Sequence, residues 1–122
     1  MGIGVTEQSK GFVQWFDLAE KREFSEKYDW ALCLEAGEHI DEQFEENVIS
    51  NIANSAREGV VVSWGVPGQV GNGHVNNKPN AHIIAQFQKL GFEHKQKLSQ
   101  ELVEDIDFDW FQNSLMIFRR HE

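Results

Sequence analysis

Two short runs in this chain are almost wholly apolar, "WALCL" at 30–34 and "VVVSW" at 60–64. A strand without polar alternation needs cover on both faces, which is the condition of a parallel sheet. Between them Phe44, Val48, Ile49, Ile52, Ala53 and Ala56 recur at helical spacing, with Asp41 as N-cap and Gly59 just past the end. Glu42, Glu45 and Glu46 crowd the first turns, where the positive end of the helix dipole favours them. Strand, helix, strand in this order is a crossover unit, and it sets the rest of the expected architecture.

Around that unit, "FVQWF" at 12–16 reads as a further strand ending at Asp17. Pro79 opens a second helix near its first position, with Ile83, Ile84, Phe87 and Leu90 as its buried face and Gly91 as its end. The stretch "EHKQKLSQEL" at 93–102 is more polar and reads as an outer strand, and "SLMIFRR" at 114–120 as the last strand, making an antiparallel edge. Trp110 and Phe111, in the acidic aromatic segment before it, read as core. The expectation is one α/β domain over 1–122, a mostly parallel sheet with an antiparallel last strand and helices on its faces.

Composition excludes several classes. Hydrophobic residues make up 40% of the 122, with four Trp and nine Phe, so the chain is not disordered. No apolar run approaches the roughly 18–20 residues that span a bilayer, so no membrane association is expected. A net charge of −9, with Arg119 and Arg120 the densest basic cluster, opposes binding to nucleic acid. The lone Cys33 rules out an internal disulfide, and "MGIGVTEQSK" lacks the form of a secretory signal. A cytoplasmic setting is expected.

In open sheets ligands bind beyond the carboxyl ends of the strands. Three places qualify: Asp17 and Leu18, the stretch 35–39, and the glycine-rich loop "GVPGQVGNGHVNN" at 65–77. The loop lacks a P-loop signature and contains no basic residue, so it is not read as a phosphate cradle. Glu35, Glu38 and His39 form a compact acid–imidazole group. Three uses are open to it: ligating a divalent metal, general-base catalysis by His39, or orienting the loop and capping the next helix. Cys33 reads as a buried, inert thiol.

Taken in order, "FVQWFDL", "YDWALCLEAGEHI" and "VVVSWGVPGQVGNGHVNN", followed by a helix ending "KLGF" and a strand ending "FRR", resemble the distal part of a class I S-adenosylmethionine-dependent methyltransferase. The resemblance runs from Gly11 to Arg120. It implies a Rossmann-like sheet, S-adenosylmethionine as cofactor, and methyl transfer to a small molecule or other acceptor. It further implies that Asp17 and Leu18 lie beside the adenine and Glu35 near the sulfonium. Glu38, Trp64, Gln69, His74 and Asn76 would then face the acceptor, with His39 as the catalytic base. The family's first strand, glycine-rich motif and first helix have no counterpart ahead of Gly11, so the expectation is an N-terminally incomplete domain. An incomplete sheet has an open edge, and the alternative expectation is a non-enzymatic module that forms a homo-oligomer or binds another protein through it.

Overall fold

A computed structural model describes residues 17–69, 71, 73–106 and 113–121. The strand expected at 12–16, and Trp110 and Phe111, lie outside them. Four strands form one sheet: β1, Tyr28–Leu34; β2, Ala56–Ser63; β3, Phe92–His94; and β4, Leu115–Arg120. Their order in space is β1-β2-β4-β3. β1 and β2 run parallel, and β4 is antiparallel to both β2 and β3. Among the described residues the sheet is therefore mixed, with one parallel and two antiparallel pairs. β1, β2 and β3 point the same way, and the last strand alone runs against them, as expected; it enters between β2 and β3 and so makes both antiparallel pairs.

The helix expected from Asp41 forms in two steps. Asp41 accepts a hydrogen bond from the backbone N–H of Gln43, a 3-10 turn covers Glu42–Phe44, and α1 follows at Glu45–Asn54. The helix stops at Asn54, so Ala56 belongs to β2, and that strand starts four residues earlier than its apolar run suggests. The second helix, α2, spans Asn80–Lys89 with Pro79 at the N-cap position. Its end follows expectation, with Gly91 at φ +87, a left-handed backbone that glycine adopts without strain.

The reading of 93–102 as an outer strand is corrected. Pairing stops at His94, and Gln96–Glu104 is a helix, α3. The backbone of β4 explains the switch: Ile117 accepts from the N–H of Lys95 and donates to Ser99 Oγ, so the start of α3 takes the hydrogen bonds that a longer β3 would have made.

One cluster of buried side chains organises the molecule. Val48, Ile49, Ile52 and Ala53 from α1 and Ile83 and Phe87 from α2 pack on Val60, Val62, Phe92, Met116 and Phe118 of the sheet. Phe87 stacks on Phe118 at 4.7 Å between ring centroids and meets Phe92 edge-on at 6.0 Å. Each fully buried side chain of this size stabilises the fold by about 1.5–3 kcal/mol. Arg120, the last residue of β4, ties the sheet to α1. Its guanidinium lies over the Phe92 ring and donates to the carbonyls of Ala53 and Ala56, where α1 gives way to β2.

β1 departs from expectation in its cover. Ala31 and Cys33 pack towards the core, but Tyr28, Trp30, Leu32 and Leu34 on the opposite face are exposed. The strand is the edge of the described sheet, with β2 on one side only. Among the described residues no helix is long and apolar enough to cross a membrane.

Candidate functional site

The crossover unit brings the carboxyl ends of β1 and β2 side by side, and the two loops that leave them meet there. The register pairs Leu34 with Ser63, so Glu35 follows directly beside the end of β2. Glu35 has φ +50, a left-handed conformation uncommon for a residue with a side chain. The sharp turn is held from β2: the Glu35 N–H donates to the Ser63 carbonyl and Oγ, and Ser63 Oγ donates to Glu35 Oε2 at 3.1 Å. Such strain at a strand end marks functional sites because the surroundings must enforce it.

Three residues on, Glu38 is fully buried in a 3-10 turn at Gly37–His39. Its Oε2 accepts from the N–H of Gly65 at 2.5 Å, and its backbone carbonyl accepts from Val75 and Asn76. Glu38 thus joins both ends of the glycine-rich loop to the β1 loop. Burial first, then hydrogen bonding to Glu35 and the charge of Glu35, push its carboxyl up to about 7. Packing here leaves room for glycine alone: a Cβ on Gly37 would come within 2.2 Å of the Trp64 ring, and one on Gly65 within 2.4 Å of Asn77 Oδ1.

The glycine-rich loop is folded back on itself by side chains. Gln69 Nε2 donates to Glu35 Oε1 at 2.8 Å, and Asn77 Nδ2 donates to the Gln69 carbonyl. Trp64 Nε1 donates to the Asn76 carbonyl, and Asn76 Nδ2 donates to Glu45 Oε1. Glu45 also meets His82 Nε2 at 2.6 Å. Burial raises the Glu45 carboxyl, but hydrogen bonds from His82 and Asn76 and the charges of His82 and Lys78 outweigh it and hold the group below its usual range. His39 and His74 touch edge to face at 4.7 Å, His39 exposed and His74 half-buried.

Seven of the expected residues therefore come together: Glu35, Glu38, His39, Trp64, Gln69, His74 and Asn76. Their exposure divides them. Glu38, Trp64 and Asn76 are buried and hold the loop from beneath, whereas His39, Gln69, His74 and Glu35 reach its surface. Glu38 is buried and His39 exposed, and among the described residues no group of three or more His, Cys, Asp or Glu is arranged to hold a metal ion.

Asp17 and Leu18 stand apart, in the irregular segment ahead of β1. Asp17 is exposed and its Oδ1 accepts from the N–H of Ala19, a local turn. Leu18 packs against the core, with its carbonyl held by Asn51 Nδ2. It also lines an apolar groove of about 420 Å³ along the β1 edge with Phe24, Trp30, Leu32 and Cys33. Burial, then the charge of Glu38, pushes the Cys33 thiol up to about 11, in keeping with an inert side chain.

Sequence reasoning missed Ser63, Glu45, His82 and Asn77. Ser63 was legible as the single polar residue in its apolar run. The other three read as a helix-start acid, a helix residue and a loop amide, and only the tertiary fold joins them to the site.

No family model matches the chain, and no curated protein matches it. Among solved structures it is similar to magnesium protoporphyrin IX methyltransferase from Synechocystis PCC 6803, determined with bound SAH, at 16% sequence identity and a TM-score of 0.60. The match covers 98% of this chain and 57% of that one, so the chain spans little more than half the length of its neighbour. With its β1-β2-β4-β3 sheet, antiparallel last strand and flanking helices, the chain has part of a Rossmann-like methyltransferase fold.

Proposed function

We propose that this chain carries the acceptor side of a site for methyl transfer from S-adenosylmethionine to a small molecule or other acceptor. The observation that supports it most is the convergence of the strained Glu35 and the 65–77 loop at the carboxyl ends of the two parallel strands, in a fold similar to a methyltransferase. A half-buried carboxylate whose two oxygens are already oriented by Ser63 and Gln69 suits a sulfonium cation. Leu18 offers an apolar surface suited to adenine, and Asp17 a carboxylate suited to its amino group. When bound, the cofactor supplies an activated methyl group.

The chain's own residues would do little acid–base work, because alignment and exclusion of water dominate such a transfer. Gln69 and His74 contact the acceptor from the loop, and His39, exposed beside His74, takes its proton. Glu38, Trp64 and Asn76 set the loop's position. Glycines at 68 and 73, both at positive φ, let the loop move over an acceptor. The test is isothermal titration of the folded chain with S-adenosylmethionine and with its demethylated product. Saturable heat is expected, and no heat at millimolar ligand overturns the reading for this chain.

The apolar face of β1 favours a second reading, a non-enzymatic module that pairs its edge with another copy. That reading is tested by mass in solution, which must rise with concentration and does not under the first reading alone.

A further inference from the structure

The buried acid at the centre of the site has a feature that ligand binding does not explain. Glu38 Oε1 is inaccessible and has no hydrogen-bond donor near it, while Oε2 is occupied by Gly65 N–H. The Glu35 carboxyl, three residues away, is the group whose hydrogen bonding and charge act on it, and two carboxyl groups hydrogen-bond only if one holds a proton. The donors decide which. Glu35 Oε1 accepts from Gln69 and Oε2 from Ser63, so both oxygens of Glu35 behave as acceptors.

We infer that Glu35 and Glu38 share one proton, carried on Glu38 Oε1 and donated to the Glu35 carboxylate, and that this proton keeps the 65–77 loop clasped to β1. Glu38 is then a positioning residue for Glu35, acting through it on Gln69. Loss of the proton places two carboxylates in contact. Glu38 is locked in by Gly65 and by its own carbonyl's bonds to Val75 and Asn76, so the half-buried Glu35 is the member that moves, and its bond to Gln69 opens with it.

Among the described residues no cation is positioned to replace the proton. Lys78 is engaged by Glu42 and lies 4.0 Å from Glu45, and His82 is bonded to Glu45. From β1 the titratable neighbour is Cys33, whose thiol stays neutral across the relevant range. From β2 and the 65–77 loop the facing groups are Ser63, the Gly65 N–H and Asn77, none of them charged. His39 and His74 pack on each other beside the turn.

The inference does not depend on cofactor binding and is tested without it. In carbon-13 NMR of the intact chain, one glutamate carboxyl is expected to titrate near pH 7, and the Gln69 side-chain amide signals should shift with the same midpoint. In Glu38→Gln the amide donates to Glu35 and the carbonyl accepts from Gly65, so the variant imitates the protonated acid; the neutral-range titration should vanish and Gln69 should stay in its low-pH position up to pH 8.5. In Glu35→Gln, which removes the neighbouring charge, the Glu38 midpoint should fall. Titration of every glutamate in the ordinary acid range would overturn the shared proton. A Glu38 midpoint unmoved by Glu35→Gln would overturn the pairing, and a Gln69 amide indifferent to pH in the wild type would overturn the clasp.

Discussion

At the scale of single residues, Glu38 and Glu45 couple stability to pH with opposite signs. Glu38 binds its proton more tightly when folded, so its contribution is fully present below the ordinary carboxyl range and is lost as pH rises to about 7. The full loss corresponds to about 3 kcal/mol. Glu45, held low, contributes above the ordinary range and loses that contribution as pH falls through its depressed value. His94, kept neutral by burial, opposes Glu38 within part of the same window, because its contribution grows as pH rises to the ordinary histidine value. The difference between wild type and Glu38→Gln isolates Glu38. Urea unfolding at pH 5 and pH 8 is expected to show the variant gaining on the wild type by about 2–3 kcal/mol over that interval. A constant difference between the two proteins would show that Glu38 is ionised throughout.

At the scale of elements, Asn51 on α1 does the work of a covalent tie. The side chain is almost completely buried, donates to the carbonyls of Leu18 and Glu20, and accepts from the N–H of Arg22. One amide thereby fixes a segment that has no regular structure of its own. Asn51→Leu keeps the number and branching of the heavy atoms but leaves three backbone groups short of partners, and about 2–4 kcal/mol of stability should be lost. Hydrogen exchange of residues 18–22 should accelerate in the variant more than that of β2; uniform change would mean that the segment is held by other contacts. The same contrast of local signal and tertiary demand separates what the sequence revealed from what it concealed. α1, α2 and β2 carry periodic apolar residues, a cap or a terminal glycine, and each was legible to within a few residues. The stretch 93–102 was not, because its polar composition suits an edge strand as well as a surface helix, and the choice falls to Ser99 and Lys95 bonding Ile117. The site shows the same division: Glu35, Glu38 and His39 stand out because they are close in sequence, while Ser63, Glu45 and His82 become neighbours only when β2 and α2 are in place.

At the scale of the whole molecule, one sheet carries both proposed roles, and they place different demands on its surface. The methyl-transfer reading uses the carboxyl ends of β1 and β2, whereas the oligomer reading uses the length of β1. Among the described residues that strand is paired on one side only, and it offers another chain the backbone of its other side together with Tyr28, Trp30, Leu32 and Leu34, the first and third of which are 66% and 69% exposed. Two copies meeting antiparallel about a twofold axis would set Trp30 opposite Leu32 of the partner strand and Tyr28 opposite Leu34, so the strand is complementary to itself. The opposing force is charge: each copy carries −9, and screening by salt should strengthen association. Sedimentation is therefore expected to show a concentration-dependent dimer that is more populated at 0.5 M than at 0.05 M salt, where the Debye length is about threefold longer. Leu32→Glu, on an exposed side chain, should leave the circular dichroism spectrum unchanged and shift the dimer to monomer by placing two like charges in the seam. A wild-type chain that stays monomeric at millimolar concentration in high salt removes the oligomer reading.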